Sequence, residues 1–175
     1  VSAARHGVLF QGQPYHWQKH RRGTPGLDLA PRNFVAYIQN HDQVANSARG
    51  ERATSLANPG RLRAMTAYLL LGPARPMLFM GQEWGASSPF AFFADHAGDL
   101  AADVDAGRRA FLRQFPSLAV PDVLRAVPAP ADRSTFESCR LDHAERDRPG
   151  HAQLLALHRE LLALRHEWES SDVGP

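Results

Sequence analysis

Short apolar runs alternate with polar segments along the chain, and their order predicts a parallel sheet. The run over residues 34–38 is rich in β-branched and aromatic residues and does not alternate with polar positions. This pattern is typical of a strand buried on both faces. Residues 77–80 form a second such run, and residues 61–71 between them have a helical pattern that Gly72 and Pro73 end. We therefore expect a βαβ unit with strands at about 34–39 and 77–80 and a right-handed crossover.

The remaining segments predict helices separated by irregular stretches. Prolines and glycines mark residues 1–33 mostly as a loop, and prolines mark residues 116–150 as mostly irregular. Residues 86–100 predict another loop, which leads into a helix at 101–115. The leucines of residues 151–166 recur at helical spacing and predict a last amphipathic helix.

Composition narrows the class of protein. Hydrophobic residues make up 43% and charged residues 22% of the 175 positions, as in a soluble chain that forms a core. No apolar run approaches about 18 residues, so the sequence predicts no membrane span. The net charge of +2 is too small to imply a nucleic-acid partner. The lone Cys139 excludes an internal disulfide and any cysteine-rich metal site, and it suits a reducing cytoplasm.

Polar side chains follow both predicted strands at the point where each strand ends. Asn40, His41 and Asp42 follow the first, and Glu83 and Trp84 follow the second. In a parallel β/α barrel, catalytic residues lie at the carboxyl ends of strands. A carboxylate beside a histidine suits hydrogen bonding to a polyhydroxylated ligand, and a tryptophan offers an apolar plate for a sugar ring. The alternative for Asp42 is a structural one, in which its side chain caps the loop.

Two stretches resemble segments of a known superfamily. Residues 34–43 (FVAYIQNHDQ) resemble the seventh-strand motif of the α-amylase superfamily of glycoside hydrolases, and residues 77–85 (MLFMGQEWG) resemble its eighth-strand segment. Together with Gly50, Glu51 and Arg52, these stretches are similar to the malto-oligosyltrehalose trehalohydrolase family, over roughly residues 7–166. The resemblance implies an α/β fold, namely the C-terminal part of a (β/α)8 TIM barrel.

The resemblance also implies an activity and a set of site residues. Members of this family hydrolyse the α-1,4-glucosidic bond next to the terminal trehalose of maltooligosyl trehalose, with retention of configuration. No histidine spacing in this sequence indicates a metal, and we expect no cofactor. Asp42 matches the carboxylate that stabilises the transition state, and interactions made only there raise the rate. Residues expected to bind the maltooligosaccharide-type substrate are His41, Asn40, Gln43, Glu83, Trp84, Asp95 and His96.

The catalytic nucleophile and the general acid of the superfamily follow the fourth and fifth strands, and neither segment is recognisable here. A complete barrel needs about 250 residues, and this chain has 175. We expect residues 1–175 to be the C-terminal portion of the catalytic barrel, without its first strands or a C-terminal β domain. Such a portion would leave sheet edges open, so the isolated chain is expected to be inactive and prone to aggregate.

Two other functions stay open at this point. The first is an α-glucan branching or debranching enzyme of the same superfamily, although the QNHDQ stretch favours the trehalohydrolases. The second is a non-catalytic, amylase-like protein that binds carbohydrate or another protein. The chain also departs from the family pattern at Gln82, where an acid is usual, at residues 129–132, and at His143, where a tryptophan is usual. The sequence does not indicate an oligomeric state.

Overall fold

The computed structural model describes residues 2–171, and it begins with a helix and a hairpin. Helix α1 is Ser2–His6, and strands β1 (Gln13–Tyr15) and β2 (His20–Arg22) pair in antiparallel register. The turn between the strands requires a left-handed backbone, which Lys19 adopts with a φ of 55°. Most of residues 1–33 lie outside these elements, as predicted, but the hairpin was not predicted, because two exposed polar strands carry no apolar alternation to reveal them.

A two-stranded parallel ladder forms the second sheet. Strand β3 (Val35–Ala36) pairs with β4 (Arg75–Pro76), and the backbone N–H groups of Arg75 and Met77 donate to the carbonyls on either side of Val35, at 2.9 and 2.8 Å. The parallel βαβ arrangement is thus confirmed. The second strand lies at Arg75–Pro76, before the predicted residues 77–80, of which only Met77 bonds to the ladder. Within residues 2–171 the parallel sheet has two strands, so this chain does not itself close a barrel.

Three α-helices connect these strands and four follow them within the described residues. The connecting helices are α2 (His41–Ala45), α3 (Ala53–Leu56) and α4 (Pro59–Leu70). The later helices are α5 (Gly98–Leu112), α6 (Pro121–Ala126), α7 (Arg133–Ser138) and α8 (Pro149–Ser170). Short 3₁₀ turns lie at Pro31–Asn33 and His143–Asp147. The helices predicted at 61–71, 101–115 and 151–166 are confirmed with shifted ends, and α8 is longer than predicted.

The prolines of residues 116–150 predicted a mostly irregular segment, but this segment contains helices α6 and α7. Pro121 occupies the first position of α6, where a missing N–H costs nothing, and the Asp132 carboxylate caps α7 by accepting from the Ser134 N–H at 2.8 Å. These residues begin helices rather than prevent them. Leu112, Leu118, Leu124 and Val127 then pack into one buried cluster.

Helices α4 and α8 pack against each other. Leu70 and Leu161 are buried in this contact, and the Arg165 guanidinium of α8 donates to the carbonyls of Leu70, Gly72 and Ala74 at 2.7–3.1 Å. These three carbonyls include orphan acceptors at the end of α4. Arg165 therefore fixes how the chain leaves α4 and enters β4. No helix among residues 2–171 has the length and apolarity needed to cross a membrane.

Candidate active site

The segment after β3 folds into a single helical turn whose start is capped by its own side chains. The Asn40 Oδ1 accepts from the N–H groups of Asp42 and Gln43 at 2.9 and 3.3 Å, and the Gln43 Oε1 accepts from the Asn40 N–H at 2.9 Å. This reciprocal pair is a capping box. The cap is therefore made by Asn40, which leaves the Asp42 carboxylate free of that structural role.

His41 and Asp42 form an exposed polar pair on this turn. The His41 Nε2 lies 3.4 Å from the Asp42 Oδ1, and the two side chains are 68% and 70% exposed. Neither side chain makes a further hydrogen bond or ion pair within residues 2–171, and a contact this exposed contributes little to stability. The capped turn thus holds a carboxylate and an imidazole whose remaining hydrogen-bonding groups face solvent, as sugar binding requires.

The segment after β4 differs, since the predicted site residue Trp84 and its neighbour Gln82 are both buried. Gln82 is 3% exposed, and its Oε1 accepts from the Phe79 N–H at 3.3 Å. Trp84 is 4% exposed, and its ring lies 5.3 Å from that of His143. The Trp84 ring therefore offers no open surface for stacking a sugar ring, because the 3₁₀ turn that carries His143 covers it. We therefore leave Trp84 out of the proposed site.

Arg52 anchors the two strand-end segments to each other. Its side chain is 1% exposed, and its Nε and Nη1 donate to the carbonyls of Ser88 and Met80 at 2.6 and 2.7 Å. The guanidinium also lies over the Phe79 ring. Burial lowers the pKa of Arg52, and the nearby half-buried Glu83 opposes this effect by favouring the charged form. Glu83 thus lies within electrostatic reach of Arg52, which favours a structural role for it.

Gly50 allows the same two segments to approach closely. The Phe90 N–H donates to the Gly50 carbonyl at 2.9 Å, and a Cβ on Gly50 would lie 2.7 Å from the Phe90 backbone. Gly50 also has a φ of 65°, which side chains disfavour. Glycine at this position therefore brings the segment after β3 against the segment after β4.

Asp95 and His96 lie apart from this arrangement in the irregular segment that precedes α5. Both are exposed, and among residues 2–171 neither makes a hydrogen bond or ion pair to the other predicted site residues. Their expected role in binding substrate stays a prediction. The described residues also contain no group of three or more His, Cys, Asp or Glu placed to hold a metal ion.

Two contacts near the site were not assigned a role from the sequence. The Arg108 guanidinium of α5 donates to the Ala45 carbonyl and to the Asn46 Oδ1 at the end of α2. The buried Glu145 carboxylate accepts from the Ser87 N–H at 3.0 Å and from the Ser87 hydroxyl. The sequence signal for Arg108 was a cation on the otherwise apolar face of a helix; Glu145 gave none, because its partner is 58 positions away.

The chain is similar in sequence to proteins named malto-oligosyltrehalose trehalohydrolase. It is 41% identical over 167 residues to that of Deinococcus radiodurans and 39% identical over 166 residues to that of Arthrobacter ramosus. These matches cover 93% and 91% of the chain but 27% and 28% of the relatives, so the chain spans about a quarter of their length. No protein-family model matches the chain.

A solved structure shares the fold. A Salmonella typhimurium protein provisionally named an alpha amylase superposes with a TM-score of 0.84 at 38% identity, over 95% of this chain and 27% of that one. In fold and in sequence the chain is thus similar to one part of an alpha-amylase-type protein. More particularly, it is similar to one segment of the malto-oligosyltrehalose trehalohydrolases, which confirms the resemblance drawn from its motifs.

Proposed function

We propose that the longer protein to which these residues belong hydrolyses the α-1,4-glucosidic bond next to the terminal trehalose of maltooligosyl trehalose and releases trehalose. The observation that carries this proposal is the exposed His41–Asp42 pair on a capped turn, within a sequence 41% identical to a trehalohydrolase. The substrate is a maltooligosaccharide, and the protein acts in trehalose biosynthesis in the cytoplasm. Residues 1–175 supply the C-terminal portion of its catalytic barrel, of which positions 1 and 172–175 lie outside the described residues.

In this proposal, Asp42 stabilises the transition state of a retaining glycosidase. The carboxylate accepts hydrogen bonds from hydroxyls of the sugar at the cleaved bond, and these bonds tighten as the ring distorts towards an oxocarbenium ion. His41 hydrogen-bonds the same sugar. Asn40 and Gln43 contribute by holding the turn, since the side-chain oxygens of both accept backbone N–H groups in the capping box. The nucleophile and the general acid come from other parts of the longer protein.

The test is product analysis on the complete protein, with Asp42→Asn as the variant. We expect free trehalose from the wild-type protein, and a fall in kcat of about 10²–10³-fold with a small change in KM for the variant, as for loss of a group that acts in the transition state. Because Asp42 is exposed, the variant should unfold at the wild-type denaturant concentration. An unchanged kcat with a raised KM would contradict this role of Asp42.

The same assay separates the alternatives. A changed branch content in the glucan, without free trehalose, would identify a branching or debranching enzyme. Binding of maltooligosaccharides without any turnover would identify a non-catalytic protein. The isolated 175-residue chain is expected to be inactive and to aggregate, since Val35 at the sheet edge is 58% exposed and Tyr37 is 42% exposed. A soluble monomer that releases trehalose would overturn that expectation.

A further inference from the structure

Arg108 connects α5 to the end of the turn that carries Asp42. One terminal nitrogen of its guanidinium donates to the carbonyl of Ala45, the last residue of α2, and the other donates to the side chain of Asn46, the C-cap residue. An arginine fork can hold two such acceptors at once in a fixed geometry. The position of α2 is therefore tied to the 15-residue helix α5.

Two aromatic rings hold the guanidinium where it makes these bonds. Its central carbon lies 5.1 Å from the centre of the Phe92 ring and 5.8 Å from that of Phe111. Burial among these groups lowers the pKa of Arg108. With its stem on α5 and its charge between two rings, the side chain has few alternative rotamers.

Helix α2 needs support at both ends because it is only five residues long. An isolated turn of this length does not persist in water, and its last carbonyls have no partner within the helix. The capping box supports its first residues, and Arg108 supports its last. A cation at the C-terminus also interacts favourably with the helix dipole. His41 and Asp42 lie between these two supports.

We propose that Arg108 is a positioning residue for the candidate catalytic carboxylate, acting through α2 on Asp42 without touching the substrate. This inference rests on the proposed function. Losing the fork should let α2 shift or fray, and a displacement of about 1 Å at a catalytic group can cost about 100-fold in rate. The effect should fall on kcat more than on KM, because Asp42 acts in the transition state.

The next residue on α5 provides a matched control. Arg109 lies on the same helix and is half-buried like Arg108, but it bonds to Asp105 at 2.8 Å and to the carbonyls of Leu124 and Val127. Its contacts therefore support α6 and not α2. In the complete protein, Arg108→Lys should lower kcat at least about 10-fold, with KM changed less than about threefold. Arg109→Lys should keep kcat within about twofold while lowering the denaturation midpoint comparably.

A double-mutant cycle provides a readout that a merely structural role would not change. If Arg108 acts through Asp42, adding Arg108→Lys to the Asp42→Asn variant should cost less than about threefold further in kcat. Equal losses from Arg108→Lys and Arg109→Lys, or full additivity with Asp42→Asn, would overturn the inference. If Arg108→Lys does not fold, Asn46→Ala removes one acceptor and should lower kcat a few-fold; an unchanged kcat would also overturn it. An Asp42→Asn variant with wild-type kcat would instead refute the proposed function.

Discussion

The segment after β3 and the segment after β4 both begin with polar side chains at the end of a strand, yet the protein uses them differently. After β3, His41 and Asp42 are about 70% exposed, and the backbone turn beneath them is capped by Asn40. After β4, Gln82 and Trp84 are at most 4% exposed and belong to the packed interior. A polar cluster at the end of a strand can thus carry chemistry or anchor the fold, and burial distinguishes the two.

We call the buried segment after β4 the anchoring end. Arg52 reaches into it from the segment after β3. Its hydrogen bonds to Met80 and Ser88 span 28 and 36 positions of the chain, so it joins parts that the sequence separates widely. Substitution of His41 or Asp42 should change stability little, whereas substitution of the buried Arg52 should lower it. Substitutions at the two ends should therefore separate loss of activity from loss of folding.

The largest stability effect is expected at Arg52. Arg52→Met removes two hydrogen bonds from a buried guanidinium to the carbonyls of Met80 and Ser88 and should reduce the free energy of unfolding by about 2–5 kcal/mol, since each hydrogen bond to a charged group contributes about 1.5–3 kcal/mol. Denaturant unfolding of the complete protein measures the change. The exposed Arg49 supplies the control, because Arg49→Met should change stability by less than about 0.5 kcal/mol. Equal effects at both arginines would contradict the anchoring role.

The next effect is expected at Gly50, where the two segments touch. Gly50→Ala places a methyl group 2.7 Å from the Phe90 backbone and forces a left-handed residue, so it should cost about 1–3 kcal/mol. Gly107 is the matched glycine, since it lies inside α5 with open space around it. Gly107→Ala should stabilise the protein by about 0.5–1 kcal/mol, as for any glycine inside a helix. If Gly50→Ala were also stabilising in thermal or denaturant unfolding, the close approach would be wrong.

A smaller effect is expected at the cap beneath the exposed pair. Asn40→Ala removes two acceptor contacts and should cost about 1 kcal/mol. Asn58 caps α4 by accepting from the Gly60 N–H at 2.9 Å, so Asn58→Ala should cost a similar amount. Only Asn40→Ala should also lower kcat in the complete protein, because only that cap supports Asp42. A loss of kcat in both variants, or in neither, would contradict the specific role of the Asn40 cap in supporting Asp42.

The parts that sequence predicted correctly share a physical reason. The parallel pairing of β3 and β4 and the long helices have apolar patterns of sufficient length to be recognised. The hairpin at residues 13–22 and helices α6 and α7 were missed, because exposed strands and proline-started helices lack that pattern. The strand-end position of His41 and Asp42 was predicted from order alone. The burial of Trp84 was not, because it depends on a 3₁₀ turn about 60 positions later in the chain.

The smallest expected effect concerns pH at the anchoring end, where Glu145 binds the segment after β4. Burial by itself raises the pKa of Glu145, but hydrogen bonds from the Ser87 side chain and backbone, with the charges of His151 and Arg148, outweigh it and lower that pKa below its ordinary value of 4.5. The folded protein therefore favours the ionised carboxylate. This contribution to stability is present above about pH 4.5 and is lost as the pH falls through the lowered folded pKa.

Glu145→Gln should remove that contribution, so the stability difference between wild type and variant should be largest near pH 7 and should shrink below pH 4.5. Urea unfolding across this range measures the difference. Glu160→Gln, at an exposed position of α8, should leave the wild-type pH dependence in place. A constant difference between wild type and Glu145→Gln at all pH values would show that Glu145 holds Ser87 equally well when protonated. The anchoring end would then depend on hydrogen-bond geometry and not on charge.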